Sequence, residues 1–185
     1  FSGASNKPAL DVRKSSPLIT GVEVSDNSSA GLRLTDGASP VIRDSVISGN
    51  TLGLEIGAAS HPSVQNSVLS GNNTNILNHE PANTISATNN WWGHPTGPND
   101  PSDDRSTGGL YNPGGLGSLV SDGVNYSPWS NVIPILGASF NIAEGALTGS
   151  QNINLNLACS TCTEFRASES PNFTGASFQP FNTSP

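Results

Sequence analysis

Charge is scarce in this sequence: Asp, Glu, Lys and Arg make up 11% of its 185 residues, and only seven of them are Lys or Arg. So few cations in a chain of net charge -7 argue against a nucleic-acid partner, since a phosphate backbone calls for a basic stripe. Long apolar runs are also lacking. None approaches the roughly 18 residues of a membrane span, so no membrane insertion is expected. No charged-then-apolar leader opens the chain, and a secreted form would already be trimmed. Cysteine is confined to Cys159 and Cys162, too few to decide the redox compartment.

What is present is turn chemistry. Twenty Gly and fourteen Pro, with abundant Ser, Thr and Asn, favour turns and strands and disfavour amphipathic helices, so almost no helix is expected. Regularly placed Val, Ile and Leu give the chain something to bury, which separates it from a disordered polar tract.

Those apolar residues recur with a period. Pro40-Val-Ile-Arg-Asp-Ser-Val-Ile-Ser-Gly-Asn50 returns as Pro62-Ser-Val-Gln-Asn-Ser-Val-Leu-Ser-Gly-Asn72 and, more loosely, as Pro17-Leu-Ile-Thr-Gly-Val-Glu-Val-Ser-Asp-Asn27, at offsets of 22 and 23. A second marker, Leu10-Asp-Val12, Leu32-Arg-Leu34 and Leu54-Glu-Ile56, repeats every 22 residues. Each unit holds a short alternating strand, a Pro-marked turn, a second alternating strand and a polar Ser-Gly-Asn corner. One unit buries nothing alone. Stacked about 4.8 Å apart, successive units pair their strands and form a parallel β-helix with coils of about 22 residues.

Alternation assigns the faces. Leu10, Val12, Leu32, Leu34, Leu54 and Ile56 point inward on one wall, while Ile42, Val64, Ile47 and Leu69 line another. Asp11, Arg33 and Glu55 form an outward acid-base-acid column, read as surface pairing worth about 0–1 kcal/mol per contact. Asp44 and Asn66 occupy equivalent places at a bend and are expected to form a side-chain ladder. Phe1-Ser-Gly sits 23 residues before Val24-Ser-Asp, so the sequence begins inside a coil. Phe1 is therefore one expected assembly end, to be covered by further sequence or by a partner.

After Ile76 the repeat degrades into Asn89-Asn-Trp-Trp-Gly-His-Pro-Thr-Gly-Pro98, followed by Asn112-Pro-Gly-Gly-Leu-Gly117 and Val124-Asn-Tyr-Ser-Pro-Trp129. Trp91, Trp92 and Trp129 serve either as a lid over the open end of the core or as an aromatic platform for a sugar. Together these segments resemble the C-terminal end of bacterial right-handed parallel β-helix repeat proteins of the pectin-lyase-like superfamily, over about residues 1–131, with a cap at about 85–131. The resemblance implies architecture more than role, because such proteins include lyases, hydrolases, epimerases, adhesins and surface proteins.

Beyond Asn131 the period gives way to strand-like alternation in Ala138-Ser-Phe-Asn-Ile142, Ile153-Asn-Leu-Asn-Leu157 and Thr163-Glu-Phe-Arg-Ala-Ser168. Residues 132–185 resemble the first half of an immunoglobulin-like β-sandwich of bacterial extracellular proteins. A whole sandwich takes about 100 residues. The resemblance thus implies an incomplete sandwich, with Phe178 and Phe181 at a second assembly end where another strand is donated.

Catalytic chemistry is sought and not found. Polysaccharide cleavage needs clustered acids with an Arg or Lys base on one face, and the outward positions mix Asp11, Arg33, Glu55 and Arg43 instead. An active face in further coils outside this sequence stays open. Cys159-Ser-Thr-Cys162 lacks the partners of a haem or zinc motif and is expected to form a small structural disulfide, a redox pair being the alternative. His61, His79 and His94 lack ligand spacing, so no metal is assigned to them. No cofactor is expected: Asp100, Asp103 and Asp104 could hold Ca2+ loosely, but their spacing matches no calcium-loop motif and the default is a solvated loop.

The resulting expectation is an all-β chain acting as a non-catalytic extracellular or cell-surface module, structural or adhesive. Its partners are copies of itself or another surface protein, with carbohydrate as a further ligand. The alternative is a fragment of a carbohydrate-active β-helix enzyme or a carbohydrate-binding module.

Overall fold

A computed structural model describes residues 1–3, 6–136, 139–142, 155–159, 161–162, 164–165, 177 and 179–180. The chain divides into two units, Phe1–Pro134 and Ile135–Pro185. Among the described residues the single helical element is a 3-10 turn, Arg105–Thr107.

In the first unit each of the first three coils contributes three strands. The first coil supplies β1 (Leu10–Arg13), β2 (Leu18–Thr20) and β3 (Glu23–Ser25); the second supplies β4 (Ala30–Thr35), β5 (Val41–Arg43) and β6 (Val46–Ser48). The third coil has β7 (Leu52–Ile56), β8 (Ser63–Gln65) and β9 (Val68–Ser70), and the fourth has β10 (Thr74–Asn78) and β11 (Ile85–Ser86). After a long loop, β12 (Leu119–Val120) and β13 (Val124–Asn125) close the stack. Every pairing among them is parallel and follows the repeat. The first wall runs β1-β4-β7-β10-β12, the second β2-β5-β8-β11-β13 and the third β3-β6-β9. Ser2 extends the third wall by bridging Ser25, in the 23-residue register read from the sequence.

Register turns the apolar pattern into columns. Leu10, Leu32, Leu54 and Ile76 lie directly over one another on the first wall. Ile19, Ile42 and Val64 do so on the second, and Val24, Ile47 and Leu69 on the third. All belong to one buried cluster, with Leu10 at its margin. Burying each such aliphatic side chain contributes about 1.5–3 kcal/mol.

The corners are columns too, set by backbone handedness. Gly21, Asp44, Asn66 and Asn89 have φ between 47° and 64° and follow one another at about one coil's spacing. Gly, Asn and Asp tolerate this left-handed conformation best, which explains why these types mark the bend. A second left-handed column runs Gly3, Asp26, Gly49, Gly71 and Gly93. The Ser-Gly-Asn segments therefore turn at Gly and swing the next residue, Asn, into the interior.

That inward Asn carries the polarity of the corner into the interior. Asn27, Asn50 and Asn72 are buried and linked: Asn27 Nδ2 donates to Asn50 Oδ1 at 2.7 Å, and Asn50 Nδ2 donates to Asn72 Oδ1 at 3.0 Å. The same oxygens accept the backbone N–H of Asn27 and Asn50 at 3.0 and 2.8 Å. Asn72 Nδ2 donates onward to Asn75 Oδ1 at 2.7 Å, and Asn75 Nδ2 donates to Leu69 O at 2.8 Å. A shorter ladder crosses another corner, where Ser67 Oγ accepts from Ser45 N and Asn90 Oδ1 accepts from Ser67 N. Buried polar groups cost free energy unless paired, and here the residue one coil away supplies the pairing for all but the terminal Asn72–Asn75 and Asn75–Leu69 links.

In the second unit, β14 (Ser139–Ile142) pairs antiparallel with β15 (Leu155–Ala158), and β16 (Glu164–Phe165) pairs antiparallel with β17 (Gln179–Pro180). Most of the expected half-sandwich, with Phe178 and Phe181, lies outside the described residues.

Candidate functional site

Three places gather polar or aromatic chemistry in the first unit. The first is the outer face of the first wall. Strand pairing sets Asp11 beside Arg33 and Arg33 beside Glu55, as the repeat requires. The ion pairs are distributed differently: Arg13 Nη2 contacts Asp11 Oδ2 at 2.6 Å, whereas Arg33 Nε donates to Glu55 Oε2 at 2.6 Å. Arg13 lies two residues from Asp11 on the same face of one strand, so it takes the acid that the column left for Arg33. His79 adds a contact from the fourth coil, its Nε2 standing 3.4 Å from Glu55 Oε1. Partial burial would raise the Glu55 carboxyl, but hydrogen bonds from Arg33 and His79 outweigh it and hold the group below the usual carboxylate range. On the second wall, Asn66 Nδ2 donates to Asp44 Oδ1, forming the expected ladder at the bend.

The second place is the cap. Trp91 continues the third wall by bridging Val68, and its carbonyl accepts from Leu69 N at 2.7 Å. Trp92 is wholly buried, edge-on to Tyr126 with ring centroids 6.1 Å apart, and Trp129 follows Tyr126 at a further 6.1 Å. Trp129 Nε1 donates to Pro95 O at 3.0 Å. Its ring lies across Gly97, where a Cβ would come within 2.7 Å of it and where φ is +80°, so two constraints demand glycine there. Trp92 and Tyr126 belong to the core cluster and Trp129 packs against it. Only Trp129 of the three tryptophans keeps substantial solvent exposure.

The third place is the acidic loop of the cap. The solvated loop expected for Asp100, Asp103 and Asp104 holds for Asp103 but not for Asp100. Asp103 is exposed and paired with Arg105 at 2.6 Å, which holds its carboxyl below the usual range. Asp100 is only 2% exposed, because its backbone pairs in both directions with Asn112 and draws the residue beneath the loop. Its Oδ2 accepts the Tyr126 hydroxyl at 2.9 Å. Burial pushes the Asp100 carboxyl up despite that hydrogen bond, and the charges of Asp104 and Asp122 push it further. Burial and the hydrogen bond to Asp100 likewise raise the Tyr126 hydroxyl far above its ordinary value. Asp104 Oδ2 accepts the Gly123 N–H at 2.7 Å. The composition of this loop displayed its acids; the burial of one of them depends on a pairing that no local pattern announces.

In the second unit Cys159 and Cys162 are joined by a disulfide, with Cα atoms 5.5 Å apart. Phe1 is 69% exposed, and its amino group donates to Glu23 O at 2.8 Å. The three histidines stay apart, and among the described residues no three His, Cys, Asp or Glu side chains gather as a metal cluster. No described helix is long and apolar enough to cross a membrane.

No curated protein and no solved structure matches this chain. The model of the right handed beta helix region matches residues 1–94, just over half of the sequence, and spans the coils whose columns are described above. The chain belongs to the right-handed β-helix family.

Proposed function

We propose that this chain is a non-catalytic structural or adhesive module of the extracellular space, with a rigid solenoid acting as spacer and contact surface. The observation that carries this reading is where the repeat places its amides. Asn27, Asn50, Asn72, Asn75 and Asn90 are all turned inward and engaged in ladders that hold coil to coil. The polar chemistry common to the coils is therefore committed to the shape of the rod. Outward positions on the second and third walls mix hydroxyls such as Thr20, Ser48, Ser63 and Ser70 with exposed Leu18, Val41, Arg43 and Gln65, a surface suited to many weak contacts with a partner chain or carbohydrate. The Cys159–Cys162 bond fits an oxidising compartment.

Assembly would use strand edges. Among the described residues β1 and β2 end their sheets, and a strand edge that neither further sequence nor a neighbour covers is a template for another strand. Strand donation between subunits, whether here or in the second unit, would complete these sheets. Sedimentation velocity of the full chain over a wide concentration range tests this. Reversible growth into end-to-end species supports assembly, and a concentration-independent monomer that retains no carbohydrate overturns it.

A carbohydrate-active role is the second reading, favoured by Arg33, Glu55 and His79 meeting on adjacent coils of one wall. Turnover of an acidic polysaccharide that vanishes in Glu55→Gln would establish it over the first.

A further inference from the structure

We propose that Asp100 and Asp104 are the carboxylate ligands of a divalent-cation site inside the cap, with the hard-oxygen chemistry that suits Ca2+. Each has one oxygen tied to the protein, Asp100 Oδ2 by the Tyr126 hydroxyl and Asp104 Oδ2 by the Gly123 N–H. The other oxygen of each, Oδ1, is buried and accepts no hydrogen bond. The Ser102 amide eases the charge on Asp100 without reaching Oδ1 in hydrogen-bonding geometry. The neighbouring Asn99 Oδ1 is a third buried acceptor without a donor. A buried carboxylate oxygen in this condition is unfavourable unless a positive charge or a proton meets it.

Among the described residues no cation pairs with either carboxylate, and the nearest basic residue in sequence, Arg105, is committed to Asp103 and lies over the Tyr111 ring at 5.1 Å. Asp104 and Asp122 instead add negative charge around Asp100. Gly109 packs directly on the Asp104 carboxylate, since a Cβ there would fall within 2.0 Å of it. Two carboxylates would be the hard ligands of such a site, completed by backbone carbonyls and water, and oxygen-only coordination of this kind suits Ca2+. A bound ion would tie Asp100 to Asp104, whose other oxygen already holds the Gly123 N–H of the β12–β13 turn.

Terbium luminescence tests this on the full chain, because Tyr126 touches Asp100 and would sensitise an ion held there. Emission should appear on Tb3+ addition and be competed away by Ca2+. Asp104→Asn and Asp100→Asn should each weaken Tb3+ binding by about tenfold or more, while Asp103→Asn leaves it unchanged. Calorimetry of the unaltered protein with CaCl2 decides the matter even where a variant fails to fold. No heat of binding at millimolar Ca2+ overturns the proposal. So does equal weakening by Asp103→Asn, which would mark diffuse surface acidity, or carboxyl NMR showing Asp100 protonated at neutral pH with Ca2+ present.

Discussion

Replacing Asn72 by alanine tests whether the inner amide ladder holds the coils together. Asn72 is almost wholly buried and uses both ends of its side chain. Its Oδ1 accepts from Asn50 N and Asn50 Nδ2, and its Nδ2 donates to Ile47 O and Asn75 Oδ1. Asn50 Nδ2 keeps a second acceptor, Val24 O. The substitution therefore strips its partner from two buried groups, the Asn50 backbone N–H and Asn75 Oδ1. At about 1–3 kcal/mol for each stranded group, Asn72→Ala should lose about 2–6 kcal/mol. Asn72→Asp should fare no better: it keeps the acceptor but brings an unpaired negative charge against Asn75 Oδ1. Urea unfolding of the full chain, followed by the fluorescence of buried Trp92, measures the loss. Gln65→Ala on the exposed face of β8 is the control and should stay within about 0.5 kcal/mol. A loss below about 1 kcal/mol for Asn72→Ala would refute the reasoning, because water or a rearranged neighbour would then be satisfying both groups.

Three further outcomes follow from the same geometry. Leu54→Ala opens a cavity at the centre of the first-wall column and should cost about 2–5 kcal/mol by denaturant unfolding. Gly53→Ala brings a Cβ to 2.4 Å from Asn75 O, a backbone atom of the next coil, and should destabilise by about 1–3 kcal/mol in the same assay. Arg33→Ala should cost no more than about 1 kcal/mol at neutral pH, since the Arg33–Glu55 pair is partly solvated. Because the folded Glu55 carboxyl lies below its unfolded value of about 4.5, its contribution is present above that pH and fades as pH falls through the folded value. The gap between the parent protein and Arg33→Ala should therefore close on acid titration.

Period and alternation make the solenoid readable in the sequence itself. Leu10, Leu32 and Leu54 recur every 22 residues, so one register places them all, and the structure stacks them in that register. The start inside a coil was legible for the same reason, Ser2 pairing with Ser25. The inner amide ladder was not. A polar residue after a glycine reads as surface, and its burial depends on the left-handed turn at Gly49 or Gly71 together with a like amide one coil away. The carboxylates of the cap were visible as composition, but the sinking of Asp100 follows from pairing with Asn112 across a loop without periodicity. Sequence alternation could not foresee that Arg13 would capture Asp11, because two partners were equally in reach.

The amide ladder has a direction. In its amide-to-amide links each asparagine donates toward the higher-numbered residue and accepts from the lower, until Asn75 turns back to the Leu69 carbonyl of the preceding coil and ends the series. Every link thus presents identical male and female ends, and duplication of one entire period would insert a new link without disturbing those on either side. Gain or loss of a single residue within a coil would uncouple two links at once. The solenoid can lengthen by whole turns far more readily than it can vary within one, which favours growth by tandem duplication over piecemeal drift.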